Sequence, residues 1–511
     1  MSDQLSTAVH GTTVFVIQAG ISGILRIINL SVLTWLLLQA EMGQIAILGI
    51  VYGFLQFIGT VGLSHSAPLV VPEMEESGQY GEIRAYLKRS ITFIVTTSLG
   101  LVLVLFLLFP FLSSNYGIAQ GILDLMLVVV PFSSLEVFLD SFLLARYDIT
   151  RLALGRILFN IVRVSTSIGL VLIGFRVAGV ISGWLLGEIT AVLVFGYAAT
   201  RGLAKVSSAI DMRPILAFAL PNLAFQAIDV TIQNADRLIL QILVNLTALG
   251  VYDVFLRLLY MFSLLSLAIA TSLYPLLTRA RISSEHKDSE RFNETVLVIT
   301  RYILLFLMPI AVIVALNSRL ILITLFAPGY AAYPNATIAF SILVLAYVLW
   351  GVVYGFLSVL RSLGESRFFI VSGLTVIGFE LTASWYLTAQ LGLLGSAVAR
   401  ALYITLLAII AIHQLRHREI RKFRSLSGTL LRASFASTIS GLLLFVVSPS
   451  NILTVILWFL VSFFLYLILL LLIGEARSID FQIARALLPS RWEGMLDKLE
   501  SRLLGETDLS H

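Results

Sequence analysis

PILAFALPNLAFQAIDVTIQNADRLILQILVNLTALGVYDVFLRLLYMFSLLSLAIATSLYPLLT, residues 214–278, is where the chain restarts itself. Two long apolar segments are separated by a short turn at Ala248-Leu249-Gly250. They carry Asp229, Asp236, Arg237, Asp253 and Arg257, more charge than hydrocarbon tolerates, so these groups should face water or one another. The stretch also echoes the start of the chain. Gly43 and Gly250 lie 207 residues apart, and so do Pro68 and Pro275. Each glycine follows the first span of its half, and each proline lies near the end of the second. A charged loop follows both, at 73–89 and 279–295. The order predicts two copies of a six-helix unit.

Composition fixes the class. Only 12% of the 511 residues are charged and the mean hydropathy is +0.98, where a soluble domain carries about a quarter charged residues. This is the profile of a polytopic membrane protein, and the net charge of +5 does not point to nucleic acid. Cysteine is absent, which excludes disulfides and thiolate metal sites. The six histidines are scattered, and no metal site is expected of them. No phosphate loop and no catalytic triad spacing is present, so neither ATP hydrolysis nor other enzyme activity is expected.

A spanning helix needs about 20 apolar residues. Fourteen stretches qualify, near 13–38, 45–71, 90–112, 121–145, 153–175, 178–200, 214–243, 249–275, 296–316, 335–360, 368–389, 394–415, 428–447 and 452–474. The reading is all-α, with a short N-terminus (1–12), a six-helix lobe (13–207), a second lobe (208–425), helices 13 and 14 (426–474) and an amphipathic tail (475–511). In the tail, Ser490 and Glu493 form a capping-box pattern that opens a helix suited either to the cytoplasmic membrane surface or to docking on the bundle or a partner. The 317–334 connection reads as a turn-rich loop. Alternate connections, with the tail, hold 26 of the 34 Lys and Arg residues. That bias places both termini in the cytoplasm.

Arg26 is the clearest of the buried charges. It lies mid-way along the first span, beyond snorkelling reach, and a guanidinium does not shed its proton. It is expected either to receive an anionic ligand in a cavity or to pair with Glu136 or Glu188. Arg163 lies deep in its span, whereas Arg156, seven residues earlier on the same face, is nearer the edge. Glu136 and Asp140 share a face and offer partners. Asp229 is a mid-membrane carboxyl that either exchanges H⁺ or Na⁺ or pairs with Arg257. Asp236 and Arg237 read as structural. Asp253 and Arg257 are four apart and can pair locally. Glu380 and Arg400 are expected to pair or to line the cavity, and Glu136 and Glu380 join Asp229 as ion-coupling candidates.

Four stretches carry a family resemblance: Gly20-Ile-Ser-Gly-Ile-Leu-Arg26 to Ala40-Glu-Met-Gly43; Thr60-Val-Gly-Leu-Ser-His-Ser-Ala67; Ala219-Leu-Pro-Asn222 with Ala235-Asp-Arg237 and Ala248-Leu-Gly-Val-Tyr252; and Phe326 to Tyr330. Over about residues 10–415 their order resembles the polysaccharide exporter branch of the multidrug/oligosaccharidyl-lipid/polysaccharide exporter superfamily. The resemblance implies two six-helix lobes related by a pseudo-two-fold axis along the membrane normal, two additional helices, and rocking between inward- and outward-open states. It implies a polyprenyl- or dolichyl-linked sugar phosphate as cargo, the membrane lipid as surroundings, glycosyltransferases as partners and no cofactor beyond a coupling H⁺ or Na⁺. Arg26 and Arg257 match basic residues of the first and eighth helices in the lipid II flippase branch. Arg163 joins them as the third residue of a cationic, phosphate-receiving patch. The basic second helix of that branch is missing, since Gly53 to Gly59 is uncharged, which favours a glycan other than the peptidoglycan precursor. The competing readings are an ion-coupled multidrug antiporter of the same fold, for which a carboxylate rather than Arg26 is expected in the first helix, and a non-transporting glycan-assembly subunit.

Overall fold

The computed structural model describes residues 2–500 except 117–118, 204–209, 261–288, 363–365, 418–424, 448–451, 476, 479, 482–484, 486–493, 495–496 and 498–499. The helix expected from Ser490 onward lies outside the described residues, as does the second half of the 249–275 span.

Every regular element among the described residues is helical. In order these are α1 (Ser2–Leu36), α2 (Gln39–Thr60), α3 (Leu63–Glu76), α4 (Tyr80–Tyr116), α5 (Gln120–Ala145), α6 (Ile149–Leu170), α7 (Arg176–Thr200), α8 (Arg213–Leu243), α9 (246–260), α10 (Ser289–Leu316), α11 (Ser318–Leu325), α12 (Gly329–Ala332), α13 (Ala336–Ser362), α14 (Ser366–Leu391), α15 (Leu393–His417), α16 (Ser425–Val447) and α17 (Ile452–Leu472). Nine of the described stretches are long and apolar enough to cross a membrane; one of them, Ile149–Thr200, holds both α6 and α7. α17 shows the logic most plainly. Its 21 residues are almost wholly apolar, and at ~1.5 Å per residue they match the bilayer's hydrocarbon thickness. Leu453, Leu457, Phe464 and Leu472 stay exposed on it, as side chains facing lipid do, while its backbone polar groups are satisfied inside the helix.

Two compact units are formed. The first comprises Met1–Met261, Phe326–Ala336 and Arg367–Tyr403; the second comprises Phe262–Leu325, Thr337–Ser366 and Ile404–His511. In the first unit α7 packs on α5 and α6, α1 packs on α6, and α2, α3 and α4 pack on α5. Its core joins Leu63, Val71, Tyr86, Phe138, Phe142 and Phe195. In the second unit α16 packs on α10 and α17.

The 45–71 span is broken, contrary to its uniform hydropathy. Val61 (φ 50°) and Gly62 (φ 75°) are both left-handed, which ends α2 and restarts the chain as α3. A Cβ on Gly62 would overlap the Ala219 carbonyl of α8, so glycine is needed there for both conformation and space. The 317–334 connection is not a loop either: α11 and α12 occupy much of it. A further close approach joins α2 to α9. A Cβ on Gly43 would overlap the Leu246 carbonyl, and one on Gly250 would overlap the Gln39 carbonyl.

Among its described residues, the second unit holds one deeply buried cation. Arg301, near the start of the expected 296–316 span, lies in α10 with its side chain 2% exposed. Its Nε donates to Glu475 Oε1 at 3.1 Å, and its Nη1 and Nη2 donate to the two Asp480 oxygens at 2.7 and 2.8 Å. Nη2 also donates to the Glu475 carbonyl. Thr429 and Arg432 of α16 complete the shell of Glu475 at 2.6 and 3.1 Å. Burial alone would push the Glu475 carboxyl up, but the bonds from Thr429, Arg301 and Arg432 outweigh it and hold it below the ordinary range. Asp480 is likewise pushed up by burial and brought down further by Arg301, Tyr302 and the Arg477 amide.

Candidate functional site

The charges of the first unit are arranged around Trp184 on α7. Arg163 of α6 lays its guanidinium 4.9 Å from the Trp184 ring centre and 5.6 Å from that of Phe159, a cation–π arrangement. Tyr52 of α2 tilts against the same indole at 5.5 Å. Gly49, one turn before Tyr52, leaves room for what gathers there. A Cβ at Gly49 would stand 3.6 Å from Arg257 Nη2 and 3.7 Å from Trp184 Cη2. Arg163 and Arg257 therefore converge on one place from α6 and α9. Arg26 of α1 is exposed and lies within electrostatic reach of Arg163, Arg156 and Tyr260. The packing of α1 on α6 is fixed nearby by a buried polar ladder, in which Asn160 Nδ2 donates to Ser22 Oγ at 3.2 Å and Gln18 Nε2 donates to the same oxygen at 2.9 Å.

The four arginines differ in how they are compensated. Arg156 makes a bidentate pair with Asp140, both bonds 2.7 Å, a structural role. Arg257 donates its Nε to Asp253 at 2.5 Å, and Asp253, 2% exposed, also lies 3.5 Å from Arg237. One carboxylate thus serves two guanidiniums. Arg163 and Arg26 have no acid within ion-pair distance among the described residues. The pairing of Arg26 with Glu136 or Glu188 is not found. Glu188 of α7 is buried and accepts a 2.6 Å bond from the Tyr52 hydroxyl on Oε1, while its Oε2 is buried without a partner among the described residues.

Of the ion-coupling candidates, Asp229 lies in α8, but its side chain is outside the described residues. Glu136 on α5 is half-buried, within electrostatic reach of Glu188, Asp140, Arg156 and Arg163. Glu380 on α14 does not pair with Arg400. Arg400 instead grips Asp236 through Nε at 2.6 Å and Nη2 at 2.7 Å, with Tyr252 donating to the same carboxylate. Glu380 is fully buried beside this pair, with neither oxygen partnered among the described residues; Ser384 Oγ, one turn on, is likewise buried and unpartnered. An unpartnered buried carboxyl is costly unless it carries a proton or meets a cation. A cavity of about 680 Å³ opens elsewhere in the first unit, lined by Glu73, Glu82 and Asp211 among apolar side chains such as Leu69 and Ile215. Its charge is wrong for a phosphate.

Sequence reasoning missed three members of the site. Tyr52 and Gly49 left no signal. Trp184 and Glu188 are one helical turn apart, a spacing that places both on the face Arg163 meets. The histidines are also less scattered than expected: His413 and His417 are four apart on α15, with Nε2 atoms 3.0 Å apart. Two imidazoles fall short of the three or four ligands a zinc site uses, and no group of three potential ligands occurs among the described residues.

A family model described as "Polysaccharide biosynthesis protein" matches residues 32–333, more than half of the chain. The chain belongs to this polysaccharide biosynthesis family. Among solved structures, the lipid II flippase MurJ in an inward closed conformation superposes with a TM-score of 0.67 at 16% identity, covering 92% of this chain and 99% of that one. An inward-facing multidrug resistance MATE family transporter of the MOP superfamily gives 0.65 at 13%, covering 80% and 99%. The Vibrio cholerae MATE transporter VcmN gives 0.58 at 13%, covering 82% and 98%. No curated protein matches the sequence. At these identities the polysaccharide biosynthesis family member shares the fold of those transporters, all-helical in a multi-pass membrane protein.

Proposed function

We propose that the chain is a flippase that carries a lipid-linked oligosaccharide or polysaccharide precursor across the cytoplasmic membrane by alternating access, with both termini in the cytoplasm. One observation carries the reading: Arg26 and Arg163 are arginines of apolar helices left without acid partners among the described residues, and Arg257 joins them while sharing Asp253 with Arg237. A planar guanidinium fork suits a phosphate or diphosphate. The sugar-phosphate head crosses through this cationic patch while the polyprenyl or dolichyl tail stays in the bilayer. The family description supports a glycan cargo, and the fold is one that carries transport in a lipid II flippase. Glycosyltransferases would supply the cargo. Glu380, Glu136 and Asp229 are the places for a coupling H⁺ or Na⁺, Glu380 foremost for its two unpartnered oxygens. A multidrug antiporter of the same fold is the second reading; Arg26 counts against it, since a cationic drug would be repelled there.

The test uses proteoliposomes with a lipid-linked sugar trapped in one leaflet. Arg26→Ala with Arg257→Ala should lose translocation about 10- to 150-fold, as expected for charge-assisted bonds of about 1.5–3 kcal/mol, at normal protein level. Arg→Lys should recover part. Full translocation by the double variant would leave these arginines structural and sink the reading.

A further inference from the structure

The position of Arg163 relative to α7 suggests more than a static patch. Its Cβ lies against Gly187, where an added Cβ would come within 2.9 Å of it. From that root the guanidinium lies over Trp184, on one side of Gly187. The next residue on the other side is Glu188, whose Oε2 is buried and unpartnered among the described residues. Trp184 and Glu188 are one turn apart, ~5.4 Å along the helix, a distance an arginine spans by changing rotamer. Gly187 contributes no side chain to block the sweep.

We propose that Glu188 is a proton-controlled competitor for Arg163: protonated, it leaves the guanidinium on Trp184 and open to a substrate phosphate, and ionised, it captures the guanidinium and expels the phosphate. The inference rests on the flippase reading for the identity of the anion, but the switch itself does not. The remaining groups around Glu188 fit. From α2, the Tyr52 hydroxyl donates to Oε1, and Gln56 Nε2 in turn donates to Tyr52 at 3.2 Å. From α5, Glu136 lies within electrostatic reach of Glu188, and Asp140 is held by Arg156 of α6. Arg257 of α9 meets Trp184 beside Gly49. The proton leaving Glu188 passes to water, one O–H bond breaking as the other forms, so one proton is released for each guanidinium captured.

The first readout needs no ligand. Trp184 fluorescence, isolated by difference against Trp184→Phe, is followed while pH is raised in purified full-length protein. The wild type should show a single transition as Arg163 leaves the indole. Glu188→Gln should abolish it, and Tyr52→Phe, which removes a donor to the anion, should displace it to higher pH. The second readout is the affinity for a short-chain prenyl diphosphate in micelles. In the wild type it should fall with rising pH, by up to tenfold per pH unit for one linked proton, and in Glu188→Gln it should be flat. A pH-independent Trp184 signal in the wild type, or an unchanged slope in Glu188→Gln, overturns the proposal. Should Glu188→Gln fail to fold, the wild-type and Tyr52→Phe titrations decide alone. A normal Trp184 transition with no prenyl diphosphate binding at any pH would sink the phosphate reading and leave the switch standing.

Discussion

Arg301 of the second unit and Arg163 of the first are both arginines of long apolar helices, and their surroundings are opposites. Arg301 is 2% exposed, with Glu475 and Asp480 taking bonds from all three of its nitrogens. Arg163 is half-buried, touches two aromatic rings, and meets no acid at ion-pair distance among the described residues. A charge that is buried and fully paired holds helices and tail segment together. A charge held on an aromatic face, with no hydrogen bond from its guanidinium among the described residues, ties no helices together in that way. Depth in a span therefore does not tell a fully paired arginine from one without an acid partner.

The largest effect should come from Arg301→Met. It leaves Glu475 and Asp480 without their cation, and breaking such a buried pair costs about 3–5 kcal/mol. Thermal unfolding in detergent should show a much lowered Tm or no folded protein. Arg163→Met should cost only about 1 kcal/mol, the worth of a cation–π contact, while reducing translocation severely. Equal stability losses in the two variants would erase the contrast.

Acid should act next, and on one region more than the other. The Glu475 and Asp480 carboxyls are held below their ordinary values of 4.5 and 3.8. Their contribution is fully present above those values and is lost as pH falls through the lower, folded-state values. Tm should therefore decline below about pH 4.5, and Glu475→Gln with Asp480→Asn should flatten that decline. A decline of the same size in the double variant would place the acid sensitivity elsewhere.

The smallest effect should come from Arg176→Ala. Arg176 is exposed and pairs with Glu41 in the open, where ion pairs contribute little. No resolvable change in Tm is expected; a clear loss would mean that exposure is a poor guide to which arginines are structural.

Much of this was legible in the sequence, and what was not has identifiable causes. Helix positions followed from apolar run length, because hydrocarbon imposes one length on every span. The break at Val61-Gly62 was hidden, since hydropathy is blind to backbone dihedrals and nothing marks Val61 for a positive φ. Local pairs such as Asp253 with Arg257 could be read from i,i+4 spacing. Pairs between helices depend on which faces meet: Arg400 was expected to pair with Glu380 of the preceding helix or to line the cavity, and it grips Asp236 instead. The partners of Arg301 could not be read from the sequence because both carboxylates lie more than 170 positions away.

The crossing of α2 and α9 has a consequence for its symmetry. Gly43 meets Leu246, and Gly250 meets Gln39. Shift each residue by 207 positions and one pair becomes the other. The contact is isologous in form: a glycine and a carbonyl from each segment, each facing its counterpart, as in a two-fold homodimer. A side chain at either glycine would part the same crossing, so the two positions act as one joint.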